Sequence, residues 1–258
     1  MPACELSDRS TSPDAPDTRA AVRIYDALVD SGYQIPASHR AVLLKCLLVH
    51  GAEWGEAGQR LEDLFGPPGK GHLQRRENVA RFLGYGRPNI DRVLDCVAER
   101  ATLFGFGELH LDTEDFFDIP LPPSIEGFTE ARRLTITLAW FSPINARHQN
   151  YRAATLEVLP GGDEAYSLAV KRRPCQPNHH AVDRGTAFHC IYEGEDAIAF
   201  LDNGMLRLRV TCRTQVISLD EAVPYALAIS IETGVASGID VYQEVRQAIG
   251  LTIPVANP

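Results

Sequence analysis

The chain has no run approaching the roughly 18 apolar residues that a membrane-spanning helix requires; its densest stretch, Ala41 through Val49, is interrupted by Lys45. Its first residues, Met1-Pro-Ala-Cys-Glu-Leu-Ser-Asp-Arg9, lack the basic start and apolar block of a secretory signal. Six cysteines (Cys4, Cys46, Cys96, Cys175, Cys190 and Cys212) include no CxxC pair. Three of them sit within apolar patterns, which reads as buried free thiols rather than a disulfide framework. Basic residues are also the minority: 25 Lys and Arg against 34 Asp and Glu give a formal charge of −9. A surplus of that sign opposes general binding to nucleic acid or to an anionic membrane surface, both of which need a basic face. The expected location is therefore the cytoplasm, with neither nucleic acid nor membrane as a partner. Lys171, Arg172 and Arg173 form a local basic patch, read as the solvated end of a strand.

What is present is a normal globular composition, 45% hydrophobic and 23% charged over 258 residues, enough for one large domain or two ordinary ones. Residues 1–17, rich in Ser, Thr, Asp and Pro, read as a disordered leader. A helix is expected from Thr18, with Ala21, Ile24, Tyr25 and Leu28 on one face and Gly32 ending it. A second helix opens near the cap candidate Ser38 and runs through Val42, Leu43, Cys46 and Leu47 to His50. It is apolar on nearly all sides and must be buried from several directions. Residues 51–71 read as loop. Within them Gly66-Pro-Pro-Gly-Lys-Gly71 has too short a spacing, and His72 in place of a hydroxyl residue, to be a phosphate-binding loop; a Pro/Gly surface turn is the reading adopted. Short helices are expected around 77–83 and from Pro88 to near Arg100, and a connecting strand at 108–111. The acidic, proline-rich segment 112–125 is the best linker candidate.

The clearest strand is at 134–141, where Leu134, Ile136, Leu138 and Trp140 alternate with Thr135, Thr137 and Ala139, so that one face enters an apolar core and the other is lightly polar. Further strands are expected at 152–158, 166–171, 186–192, 197–201, 205–213 and 225–232. In 205–213 the alternation of Leu206, Leu208, Val210 and Cys212 with Arg207, Arg209, Thr211 and Arg213 is nearly ideal, and Asp202-Asn203-Gly204 ahead of it is a hairpin signal. About seven short strands separated by turns predict an antiparallel β-sandwich, closed by an amphipathic helix carrying Val241, Val245 and Ile249. The fold class is thus α+β, with an N-terminal helical region followed by a jelly-roll-like sandwich. The domains read 1–17 leader, 18–111 helical segment, 112–130 linker and 131–258 sandwich.

Three stretches resemble the C-terminal part of subtilisin-like serine proteases, the subtilases. Ser38 to Trp54, whose apolar run closes on Leu47-Leu-Val-His-Gly-Ala52, looks like the buried helix that follows the nucleophile helix. Gly84-Tyr-Gly-Arg-Pro-Asn-Ile-Asp-Arg-Val-Leu-Asp95 looks like the segment opening the protease domain's last helix. Leu134-Thr-Ile-Thr-Leu-Ala-Trp-Phe-Ser-Pro143 looks like a strand of the β-sandwich that follows the catalytic domain in many bacterial subtilases. The resemblance spans about residues 10 to 250. It implies a catalytically incomplete portion of a serine endopeptidase, in which the sandwich stabilises a protease core or recognises a substrate or partner. It also implies, as candidate partners, a protease core or other chain docking on the Ala41-to-Val49 helix and an AAA-type ATPase. The position matching the family nucleophile is Ser12, but Ser10 replaces the preceding glycine, and Pro13, Asp14 and Pro16 interrupt the expected small-residue helix start. The catalytic Asp, the His and the oxyanion Asn would all lie before Ser12, where this chain has eleven residues. A serine without a base is not an activated nucleophile, so no catalytic residue is assigned and the chain is expected to be inactive alone. The alternative is an independent sandwich that binds protein or carbohydrate, with the helices as a docking arm.

No cofactor or metal is assigned either. His179, His180, Cys175, His189, Cys190 and Cys212 offer ligand types for zinc, but His189 and Cys190 are adjacent on a strand and point to opposite faces. The acidic groups Glu114-Asp115 and Glu193, Glu195, Asp196 lack calcium-loop spacing and read as solvated turns. His50 reads as a hydrogen-bonded helix-end histidine, and Trp54 and Trp140 as packing residues.

Overall fold

The computed structural model describes residues 16–65, 72–95, 97–125, 132–144, 152–161, 175–176, 184–194, 197, 204–214 and 221–252. Ser12, the 66–71 turn, the strand expected at 166–171, all but Ala197 of the strand expected at 197–201, Lys171 to Arg173 and His179-His180 lie outside the described residues. Helix α1 (Pro16–Asp30) leads into α2 (Ala37–His50). At Gly32, φ is +85°. The Gly32 amide donates to Val29 O and the Tyr33 amide to Leu28 O, which satisfies the last carbonyls of α1 in a Schellman arrangement that needs a glycine at this point. A ribbon of β1 (Ala52–Glu53) and β2 (Arg87–Pro88) brackets α3 (Gly55–Leu64) and α4 (His72–Leu83), and α5 (Asp91–Leu94) follows.

Two antiparallel sheets then form. Strands β3 (Arg100–Leu109), β4 (Glu114–Pro120), β5 (Arg133–Trp140), β6 (Ala154–Pro160), β7 (Ala187–Glu193), β8 (Met205–Thr214) and β9 (Val223–Glu232) alternate strictly between them. One sheet has the order β3-β9-β5-β7 and the other β4-β8-β6. This alternation across two facing sheets is the winding of a jelly roll, and the protein is an α+β fold. Helix α6 (Val241–Thr252) lies against β3 and β4.

The alternation of apolar residues decides where the core sits. Leu134, Ile136, Leu138 and Trp140 of β5, with Tyr225, Leu227, Ile229 and Ile231 of β9, meet Leu156 and Val158 of β6 and Leu206, Leu208 and Val210 of β8 between the sheets. On the outer face of β8, Arg207 pairs with Asp118 and Arg209 with Glu114 on β4. Glu114 and Asp118, part of the acidic content that made 112–125 read as linker, are therefore on the charged outer face of a strand. Phe117 and Ile119 of the same strand turn toward the sandwich interior.

The other face of the four-stranded sheet is also buried, because α2 lies across it. Ala139, Ala187, Ala226 and Ala228 present small side chains there. The helix can therefore approach closely enough for Val42, Leu43, Cys46 and Leu47 to pack on the sheet, with Ile24 and Leu28 of α1 covering them from the side. The alternation of β5 left Thr135, Thr137 and Ala139 on a lightly polar face; all three are buried beneath α2. Strand β3 extends the expected connection at 108–111 back to Arg100, in register with β9 from Arg100↔Glu232 to Leu109↔Val223. The helix expected from Pro88 to Arg100 is a single turn, α5, because Val97 to Arg100 form a turn, with the Arg100 amide donating to Val97 O at 3.1 Å, that leads into β3. Helix α3 lies within residues read as loop. Glu56, Gln59, Arg60, Leu61 and Glu62 are good helix formers, outweighing the glycines at its start.

Candidate functional site

Two constellations carry polar groups in unusual density. The first is buried. Under α2, Thr102 Oγ1 lies 2.7 Å from Ser230 Oγ, Ser230 Oγ 2.7 Å from His50 Nε2, His50 Nδ1 2.8 Å from Thr137 Oγ1, and Thr137 Oγ1 2.7 Å from His189 Nδ1. The chain of contacts crosses β3, β9, α2, β5 and β7. Each hydroxyl donates one hydrogen and can accept from more than one neighbour, so the ring tautomers set the directions, and the unpartnered His189 Nε2 favours a proton on His189 Nδ1. If His189 Nδ1–H donates to Thr137, Thr137 donates to His50 Nδ1, His50 Nε2–H donates to Ser230, and Ser230 donates to Thr102. The orphan is then a lone pair, which is less costly to bury than an orphan N–H.

A serine 2.7 Å from an imidazole has the geometry of a nucleophile and its base. Here it lacks access: Ser230 is 2% exposed and His50 5%, both enclosed where the end of α2 meets the sheet. Burial, and then the neighbouring His189, Arg92, Arg133 and Arg100, depress the His50 pKa well below its ordinary value. Burial followed by Arg133 and Arg92 lowers that of His189 to about 3. Both rings are neutral hydrogen-bonding struts that key α2 to the sheet.

The second constellation is open. A cleft of about 530 Å³ lies between α1, the β1–β2 ribbon, α3 and α5, lined by Arg23, Glu53, Trp54, Glu56, Arg87 and Asp91, among others. Its floor is set by charge. Glu53 Oε1 accepts from Arg92 Nη1 at 2.9 Å and from Arg133 Nη2 at 3.0 Å, and Arg92 also pairs with Glu232. This network ties the ribbon and α5 to the ends of β5 and β9. Gly86, with φ of +106°, admits the ribbon's close approach, because a Cβ there would stand 2.3 Å from Glu53 O. Trp54 forms one wall. Its Nε1–H donates to Gly84 O at 2.9 Å, and the Arg76 guanidinium stacks 4.9 Å from its ring centre. Arg23 and Asp91 face each other at 3.8 Å at the rim. The lining has both signs of charge, an aromatic wall and strand backbone, but no Cys, His, Ser or Thr. Such a surface can orient an extended polar segment, and it offers no hydroxyl, thiol or imidazole nucleophile.

Lys45, which interrupts the apolar run of α2, is satisfied at the far end of the helix-covered sheet. Its ammonium donates to Trp140 O at 3.1 Å, Thr186 O at 2.8 Å and Thr186 Oγ1 at 2.5 Å. Burial lowers its pKa to about 8.

Of the other residues weighed from sequence, His189 and Cys190 do point to opposite faces of β7: the ring joins the network under α2, the thiol enters the sandwich with Cys175 and Cys212. Among the described residues no three of His, Cys, Asp and Glu gather to hold a metal. Nor is any described helix long and apolar enough to cross a membrane. Glu114 pairs with Arg209, and Asp115 accepts from Tyr225 Oη. Trp140 is fully buried between the sheets, whereas Trp54 lines the cleft. The cleft residues Arg23, Arg87 and Asp91 carried no sequence signal, since they converge only when α1 and α5 dock on the ribbon. The glycines flanking Tyr85 were the one local sign of a close approach.

No protein-family model matches the chain, and no curated protein does. Among solved structures, the chain is similar to PliG, a periplasmic inhibitor of g-type lysozyme from Aeromonas hydrophila, at 18% identity over 52% of this chain and 88% of that one, with a TM-score of 0.25. A similarity at that TM-score carries no argument about fold or function.

Proposed function

We propose that this chain is a non-catalytic recognition module whose cleft between α1, the β1–β2 ribbon, α3 and α5 binds an extended segment of a protein partner. The observation that carries this reading is the burial of α2. Its apolar sides are taken up by the chain's own four-stranded sheet and by α1, so the helix with the most need of a covering surface already has one. Burial of this kind supports a unit that folds by itself, with its open polar cleft left for recognition. The mixed charge and the Trp54 wall favour a peptide with polar side chains over a carbohydrate held by aromatic faces alone.

The second reading keeps the chain as the C-terminal, catalytically incomplete portion of a subtilisin-like endopeptidase. What favours it is that Leu134 to Pro143, the stretch most like the post-catalytic sandwich strand, contributes a central strand of the jelly roll. In that reading the cleft faces the protease core or its substrate.

Panning a random-peptide phage library on the full chain, with counter-selection on an Ala57→Trp variant, tests the first reading. Ala57 lines the cleft and is exposed, so the indole fills the cleft while the packing beneath stays intact. Enriched peptides that bind the wild type and lose binding to A57W are expected. Failure to enrich any peptide, or equal binding to both forms, would overturn the cleft as the site. Turnover of a peptide ester with covalent labelling by an active-site serine reagent would overturn the non-catalytic assignment in both readings.

A further inference from the structure

Cys175 sits on the open edge of β7, opposite Cys190 in an isolated antiparallel bridge. The amide of the next residue, Gln176, donates to His189 O at 2.8 Å. In that register Gln176 and His189 are the hydrogen-bonded pair, so Cys175 and Cys190 occupy the adjacent non-hydrogen-bonded pair. At such positions opposed Cα atoms approach to about 4.5 Å and their side chains lie closest. That separation falls inside the roughly 4.4–6.8 Å range that a disulfide spans. Both side chains project to the same face, into the sandwich interior, where Cys175 is 1% and Cys190 0% exposed. Their Sγ atoms are 2.7 Å apart.

The geometry points to Cys175 and Cys190 as a redox pair that closes to an intrachain disulfide and staples the segment at 175–176 to the edge of the four-stranded sheet. The other described cysteines are placed differently. Cys46 lies under α2 on the opposite face of that sheet, where its Sγ donates to Thr137 O at 3.4 Å, and Cys212 lies on β8 of the facing sheet. Neither has a cysteine opposite it in a strand pair.

A low-molecular-weight disulfide of the glutathione class supplies the oxidant. One cysteine, as thiolate, attacks it to form a mixed disulfide and releases one glutathione thiol. The second cysteine then displaces the remaining glutathione. One protein S–S bond forms and one glutathione S–S bond breaks; the two electrons and the two thiol protons end on two molecules of reduced glutathione. Burial holds the Cys190 thiol protonated. Exchange therefore takes place while the short 175–176 pairing is open, before the edge closes in folding or during local opening.

The test equilibrates the full chain with glutathione at ratios from fully reduced to fully oxidised. Remaining thiols are blocked with N-ethylmaleimide in denaturant, and the tryptic digest is read by mass spectrometry. Cys175 lies on a peptide ending at Arg184 and Cys190 on one beginning at Gly185, so their cross-link is unambiguous. The expected result is that cross-link in oxidising buffer, with Cys46 and Cys212 still carrying maleimide, and its loss on reduction. Closing a loop of this length should also raise the thermal midpoint by roughly 5–10 °C. Recovery of both cysteines as maleimide adducts at the most oxidising ratio, as glutathione adducts only, or joined to other cysteines overturns the proposal. A Cys175→Ser variant should lose the oxidant-dependent rise in midpoint, and a rise that persists in it also overturns the proposal.

Discussion

Acidification should unlock α2 from the sheet. His50 and His189 are held neutral in the folded protein, His50 well below its ordinary pKa and His189 near 3. In the unfolded chain both titrate near the ordinary value of about 6.5. Between those limits the unfolded state binds more protons, so stability is fully present above pH 6.5 and is lost as pH falls. From pH 8 to 5.5 the loss is about 1.4 kcal/mol per histidine, or about 3 kcal/mol for the pair. Urea unfolding of the full chain at half-unit pH steps measures this. A His50→Gln variant, which removes one of the two titrating groups, should halve the pH-dependent loss to about 1.4 kcal/mol, whatever its effect on stability at pH 8. A wild-type stability flat to within about 0.5 kcal/mol over this range, or an H50Q variant with the wild-type slope, would refute the reasoning.

The packing of α2 makes two further predictions. Leu43→Ala, which empties a fully buried position on α2, should lower unfolding free energy by about 2–5 kcal/mol in urea titration. Ala228→Leu, which fills the small-residue floor beneath the helix, should cost about 1–3 kcal/mol by overpacking; a neutral result would mean that the helix is not seated on β9. Gly86→Ala should destabilise the chain and abolish peptide capture, because the new Cβ meets Glu53 O and the backbone sits at φ +106°. Lys45, observed by NMR through its side-chain carbon next to the ammonium, should titrate near pH 8, and a midpoint above about 10 would show that it is solvated.

Strands β5 to β9 were readable because their alternation is local: Leu206, Leu208 and Val210 of β8 go in and Arg207 and Arg209 go out whatever lies opposite. The burial of α2 from several directions followed from its lack of a polar face. Strand β4 was obscured because its outward residues, Glu114 and Asp118, find their partners some ninety positions away on β8, and from sequence alone an acidic face with prolines at its end resembles a linker. The one-turn length of α5 and the backward extension of β3 were hidden for a similar reason, since pairing along the whole of β9 overrides local helical preference. The cleft was not legible at all, since it is made from α1, a four-residue ribbon, α3 and α5, none of which carries a motif for binding.

By itself, then, the sequence determined the periods of its strands, the two helices that open the fold and the need to bury α2 on several sides, because each rests on residues within one or two turns or along one strand. Only the tertiary structure decided what would cover α2, and it chose the sheet's own alanine face. The same docking placed Ser230, Thr102, Thr137 and His189 around His50, and Arg92 and Arg133 around Glu53. These contacts join residues up to 180 positions apart, and chain-distant hydrogen bonds and ion pairs leave no periodic trace in the residues that make them.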